Sequence, residues 1–243
     1  MQLQGDMHTH TIASTHAYST ITENCILAVK NGLKIIAMTD HAPAMPDSPH
    51  IWHFENLRCL PRTIEGVTVL KGAEADILQD GTLDLDDRLL SKLEWVVASM
   101  HCYESCLIPT TAEEHTDIYL KIARNPYVDV IGHCTTDRFP FDFEKGLKAF
   151  KEYGKLVEIN ESSIMNKKGS RENSVTVMKI CKKYDIPIVI DSDCHFCQLI
   201  GKTPIALQMA EELDFPKELI INSDHRFIRD YLKAKRPNLD IQL

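Results

Sequence analysis

An α/β fold, built as a barrel related to the TIM barrel but one strand–helix unit short, is what this sequence predicts, and three observations predict it. Short β-rich runs alternate with amphipathic helical stretches along the whole chain, the pattern of a parallel sheet with helical crossovers. Several runs are apolar throughout, as around Ile188, Val189 and Ile190, which suits strands buried on both faces. The length of 243 residues is typical of one closed α/β barrel, and a single domain is expected over residues 1–243.

The expected strands lie near Leu3–His8, Lys34–Met38, Val67–Ala73, Trp95–Met100, Val128–Ile131, Leu156–Ile159 and Ile186–Ile190. Helices are expected near Thr22–Asn31, Thr111–Arg124, Asp142–Tyr153, Asn173–Tyr184 and Thr203–Leu213, with a terminal one over Asp224–Lys235. Ser and Thr near several helix starts, and Gly32 after the first helix, are suitable caps. No linker, repeat or low-complexity tract interrupts the series.

Composition narrows the function classes. The net charge is −8 and the pI about 5.8, so electrostatics oppose non-specific binding to long nucleic acids or anionic membranes. No run of about 18 apolar residues predicts a membrane span. The N-terminus, MQLQGDMHTH, lacks a basic stretch followed by an apolar one, so a cytoplasmic location is expected and the eight cysteines read as reduced thiols. Cys194 and Cys197 have zinc-ribbon spacing, but no second such pair completes the motif.

The placement of imidazoles and carboxylates carries the chemistry. His8 and His10 follow the first expected strand, His16 lies in the loop beyond, and His41 follows the second. Glu74 ends the third, His101 the fourth and His133 the fifth, while Asp193 and His195 follow the seventh. In a parallel barrel all strands point the same way, so these nine side chains share the C-terminal rim. A lone histidine at a strand end is ordinarily a packing or capping residue, but six of seven strands delivering such a residue is a site. Imidazole with carboxylate suits zinc, manganese or iron better than magnesium or calcium. Nine donors exceed one tetrahedral ion, so a cluster is implied.

His8-Thr-His10, His16, Thr39-Asp40-His41, Glu74, His101, His133 and Asp193-Cys-His195 together resemble the polymerase-and-histidinol-phosphatase (PHP) family over the whole chain. Ala13-Ser-Thr-His16-Ala-Tyr-Ser19 and Ile51-Trp-His-Phe54 resemble most its small standalone bacterial phosphatases. The resemblance implies a distorted (β/α)7 barrel, three divalent ions and hydrolysis of small phosphomonoesters. It implies one ion held by His8, His10, Glu74 and Asp193, a second by Glu74, His101 and His133, and a third by His16, His41 and His195. Glu74, Asp193 and His195 are the expected catalytic residues. Members often carry proline after the fifth-strand histidine, where this chain has Cys134.

Other residues have simpler readings beside the functional ones. Cys102, Cys134 and Cys194 beside the ligands read first as small packed side chains, and more sharply as oxidation-sensitive thiols. Asp40 is either an orienting partner of a ligand or a turn cap. The segment Ser162–Arg171 is expected as a basic rim loop, with Lys168 and Arg171 as candidates to neutralise substrate phosphate. His53, in the aromatic stretch after the second strand, is a candidate to touch the substrate's organic part. His115 and His225 read as ordinary surface residues in helices. Histidinol-phosphate phosphatase, phosphodiesterase or nuclease activity, and a non-catalytic metal module are the competing functions. Homo-oligomerisation is compatible with the sequence.

Overall fold

The computed structural model describes residues 1–237; residues 238–243, part of the single domain expected, lie outside the described residues. Seven parallel strands form the sheet: β1 (Gly5–Thr9), β2 (Ile35–Met38), β4 (Val67–Asp76), β5 (Trp95–Ser99), β6 (Val130–Ile131), β7 (Leu156–Asn160) and β8 (Ile188–Asp191). They are hydrogen-bonded in the order β1-β2-β4-β5-β6-β7-β8. A parallel bridge from Thr9 to Cys194 brings the last strand's end back to the first, so the barrel is nearly closed. A two-residue strand, β3 (Thr63–Ile64), pairs antiparallel with β4; it was not expected, and two residues are too few to show a period.

Helices α1 (Ile21–Lys30), α4 (Ala112–Ala123), α5 (Phe143–Glu152), α7 (Ser170–Lys183) and α8 (Pro204–Glu212) are the main crossovers. Their starts are chemically marked. Thr20 and Thr111 form capping boxes with Glu23 and Glu114, and the Asp142 side chain accepts from the Lys145 amide. Short helices α2 (Trp52–Asn56), α3 (Asp87–Leu90) and α6 (Glu161–Asn166) occupy stretches where no helix was expected. The segment expected as the basic loop Ser162–Arg171 is therefore mostly helical: α6 fills its first half and α7 begins at Ser170. Among the described residues no helix is long and apolar enough to cross a membrane.

Two apolar layers follow from strand alternation. Outward residues such as Ile36, Val69, Val96 and Ile190 pack beneath the helices. Met7, Ile35, Leu70, Trp95, Val97, Leu156 and Val189 fill the interior, which α9 (His225–Lys235) closes at the strands' N-terminal ends with Ile228 and Leu232. The same alternation carries Leu70 to Glu74 on β4 and Leu156 to Glu158 on β7, so the interior turns polar toward the C-terminal rim. A register shift between Asp6 and Thr9 interrupts β1, and Met7 and His8 both meet interior partners.

Candidate metal centre

The nine rim side chains nominated from the sequence converge. Glu74 stands at their middle, 1% exposed on a strand that runs two residues beyond it rather than ending there. Its Oε2 lies 2.9 Å from His41 Nδ1, 3.3 Å from His8 Nε2 and 3.5 Å from His10 Nε2. Its Oε1 lies 3.0 Å from His133 Nε2 and 3.5 Å from His101 Nε2. Asp193 Oδ1 is 3.2 Å from His10 Nε2 and 3.7 Å from His8 Nε2. His195 stacks on His10 with ring centroids 4.2 Å apart, and His16 sits 4.3 Å from His195.

The backbone is forced to make this arrangement. His133 has φ 24° and Asp193 φ 52°, left-handed values unfavourable for residues with a Cβ. Both turn sharply out of short strands into the ring. Before His133, a Cβ on Gly132 would lie 2.1 Å from Ser99 Oγ, so only glycine lets the chain pass there. The His16 loop is tied down on two sides, by Thr15 N donating to Asp47 O and Tyr18 N to His195 O.

Several imidazoles are oriented from behind. His8 Nδ1 is 2.6 Å from Glu158 Oε1, His101 Nδ1 is 2.7 Å from Asp76 Oδ1, and His16 Nδ1 is 2.5 Å from Asp47 Oδ2. Such partners fix the tautomer and aim the other ring nitrogen inward. Glu158 also accepts the His133 amide. Asp40 takes both roles considered for it. It accepts from the Thr11 amide as a turn cap, and from Ser14 Oγ, which lies 3.5 Å from His10 Nδ1. Asn160 Nδ2 donates to Asp193 Oδ2.

Inside the ring, His8 Nε2, His10 Nε2, His41 Nδ1, Glu74 Oε2 and His195 Nε2 are buried and make no aligned hydrogen bond, the short approaches of the first four being ion contacts to other members of the ring. Each such atom costs about 1–3 kcal/mol unless something meets it. Five such atoms facing one region, four of imidazole and one of carboxylate, are the arrangement a cluster of cations satisfies, and the donor set fits. Close groupings are His8/His10/Asp193, His10/His41/His195, His41/Glu74/His101 and His16/His41/Asp47. Asp47 thus joins the nine as a further potential donor.

Charge states agree with this fit. Burial pushes the His10 imidazole down to about 3 and His101 down to about 4, leaving neutral rings able to donate a lone pair. Burial, followed by the Lys167 ammonium, pushes His133 down as well. Burial alone would raise Glu74, but the His8, His101 and His41 rings hold its carboxyl well below the usual range. His8 and His41 are the exceptions. Burial opposes the charge of each, yet Glu158, Glu74 and Asp193 raise His8 well above its ordinary value and Glu74 raises His41, so a cation there displaces a proton.

A scan of protein families matches the PHP domain over residues 6–213. The chain belongs to the PHP family. It is 45% identical over 239 residues to a probable phosphatase of Thermoanaerobacter sp. (strain X514), covering 97% of each chain. It is 42% identical over 240 residues to one from Acetivibrio thermocellus, covering 98% of this chain and 99% of that one. Among solved structures it resembles histidinol phosphate phosphatase from Lactococcus lactis, crystallised with zinc, L-histidinol and phosphate. That match has a TM-score of 0.62 at 16% identity and covers 88% of this chain and 93% of the other. At that identity the likeness concerns the fold.

The supporting residues of this PHP centre were less visible in the sequence. Glu158, Asp76, Asp47 and Ser14 were not singled out. Two carried a signal: Glu158 interrupts the apolar run Leu156–Ile159, and Asp76 lies two residues past Glu74 on the same face of β4. Lys168 is exposed and lines a cavity beside His101, where its neighbour Lys167, not nominated, faces the same space. Arg171 is exposed on the first turn of α7 and is absent from that lining. His53 lies elsewhere. Its Nε2 is 3.3 Å from Asp40 Oδ2, and it borders a separate cleft with Ile12 and Trp52. Phe54 is buried and packs the short helix down, while Trp52 is exposed.

His115 corrects the sequence reading. It is wholly buried, accepting at Nε2 from the Thr110 amide and meeting the Pro140 carbonyl at Nδ1. It is a satisfied core histidine, and nothing in the surrounding helical pattern distinguished that from a surface one. His225 is exposed. Cys134 and Cys194 are buried and burial holds their thiols protonated, at about 12 for Cys134 and well above the usual value for Cys194. Packing accounts for both.

Proposed function

We propose that this PHP protein is a metal-dependent phosphatase that hydrolyses small phosphomonoesters at a cluster of three divalent ions, zinc, manganese or iron. The observation carrying this reading is the set of five buried imidazole and carboxylate atoms, Glu74 Oε2 among them, that converge on one region with no aligned hydrogen bond. The names of the near-full-length relatives agree with it. The residues that would hold the ions are His8, His10, His16, His41, Glu74, His101, His133, Asp193 and His195, with Asp47 as an additional donor. When bound, the ions supply Lewis acidity and a water acidified to a pKa of about 7.

The chain's own contribution is position and charge. Glu74, with an oxygen toward each half of the ring, sets the spacing between the two sets of imidazoles. Asp193, held by Asn160, and His195, with its side chain 25% exposed at the mouth, complete the catalytic trio. Glu158 and Asp76 keep the His8 and His101 rings from rotating away. Lys167 brings positive charge to the His101–His133 side, where a phosphate dianion gains from it. The whole chain acts as one PHP domain, and its net charge of −8 disfavours long polynucleotides as substrates.

The test is phosphate release from p-nitrophenyl phosphate by purified protein whose metals are assayed in parallel. Release abolished by chelation and restored by manganese or zinc supports the reading. A fully metallated protein that releases no phosphate removes it.

A further inference from the structure

Beside His101 the centre opens into a cavity of about 780 Å³, within the range that holds a small metabolite. Its outer wall is basic. Lys167 and Lys168 come from the turn between α6 and α7, and Arg138 from the loop after β6. No ion pair engages any of these three cations among the described residues. The one carboxylate in the lining, Asp137, stands against three cations and leaves the wall with an excess of positive charge. Its Oδ1 accepts from Asn173 Nδ2 at 3.1 Å and it lies against Gly169, where an added Cβ would be 1.9 Å from the same oxygen.

Isolated surface lysines are ordinarily solvated and carry no ligand. Here three cations border a single cavity that also touches a candidate ligand, on a chain with eight excess negative charges. The ester phosphate, seated at the metal cluster, accounts for Lys167. It leaves Arg138 and Lys168 as the other cations lining the cavity that opens from the centre.

We infer that the substrate carries a second anionic group, a carboxylate or another phosphate, on the leaving-group side, and that Arg138 and Lys168 seat it. This rests on the phosphatase reading and narrows its substrate class to phosphorylated small acids and bisphosphates. An ester bearing an ammonium group, as histidinol phosphate does, meets like charge there.

Matched substrates test this: 3-phosphoglycerate and glycerol 3-phosphate differ by a carboxylate in place of a hydroxymethyl group, and O-phosphoethanolamine supplies the opposite charge. The metallated enzyme is expected to prefer 3-phosphoglycerate to glycerol 3-phosphate by about tenfold or more in kcat/KM, with O-phosphoethanolamine poorest. In the Arg138→Ala/Lys168→Ala double variant that ratio falls toward one. Calorimetry provides a readout apart from turnover: phosphonoacetate should bind more tightly than ethylphosphonate, and the margin should shrink in the variant and at high salt. An active enzyme with no preference overturns the inference while leaving the phosphatase reading intact. A preference that survives in the variant overturns the assignment to Arg138 and Lys168, and places the carboxylate on the metals. Hydrolysis of none of the three esters, nor of p-nitrophenyl phosphate, removes the phosphatase reading itself.

Discussion

At the floor of the barrel the buried charges are paired. Asp129 meets Arg236 at 2.6 Å, and Lys155 Nζ donates to the Val128 carbonyl at 2.9 Å and also to Asn125. Around them Ile228 and Leu232 of α9 seal Trp95 and Met7 from water. At the mouth, equally buried imidazoles and carboxylates point their free atoms at one another across a common centre. At the floor Asp129 Oδ1, Arg236 Nε and Trp95 Nε1 also lack a hydrogen bond, but Asp129 and Arg236 are paired through their other atoms; at the mouth the free atoms are the ones that face a common centre. The difference teaches that burial of a charged group says little until its partners are counted, since a paired group serves the fold and an unpaired convergent set serves a ligand.

This contrast makes the two ends separable by mutation. The largest effect is expected at Glu74, which touches both halves of the ring: Glu74→Gln should lower phosphatase activity by about 10³-fold and strip bound metal. Its melting temperature without metal should stay near that of the parent, as shown by calorimetry with and without chelator. Arg236→Met should do the reverse. It leaves Asp129 buried and unpaired at a cost of about 3–5 kcal/mol, read by denaturant unfolding, with metal affinity unchanged. Glu158→Gln removes the charge that orients His8, and metal affinity should fall by about 10–100-fold in a competitive chelator titration.

The smallest expected effect is a pH dependence at the floor. Burial, followed by the charge of Lys235, pushes the Lys155 ammonium down to about 6. The unfolded chain keeps that proton up to about 10.4, whereas the native one releases it above about 6. Between those values the unfolded state binds more protons, so this residue makes stability rise with pH; below about 6 both states hold the proton and the contribution is flat. The slope of unfolding free energy against pH between 7 and 9 should therefore be less positive in Lys155→Met than in the parent.

The sequence made the mouth more legible than the floor. Seven apolar runs, each followed by a rim residue or a helix, mark the barrel because strand direction and period are local properties. His8, His10, Glu74 and Asp193 could be read together because a parallel barrel sends every strand end to one rim. Glu158 and Asp76 were harder, since a buried carboxylate on a strand acquires meaning only from the ring across the barrel. The Asp129–Arg236 pair joins residues 107 apart in sequence with no motif between them. Helix α6 hid in a stretch read as a polar loop: Asn160, capping Ser163, starts a helix whose polar composition masks it. His115 shows the same limit in reverse, its burial decided by Phe139 and Pro140 on a neighbouring loop.

The most direct test of the central claim is an anomalous diffraction measurement on crystals grown with manganese or zinc. Three peaks are expected, lying about 2.0–2.3 Å from the inward nitrogens and oxygens of the ring, with Glu74 touching two of the ions and the Nε2 atoms of His8 and His10 on one. Crystals of metal-replete protein with no peak among these residues, or with peaks only outside the ring, would contradict the account.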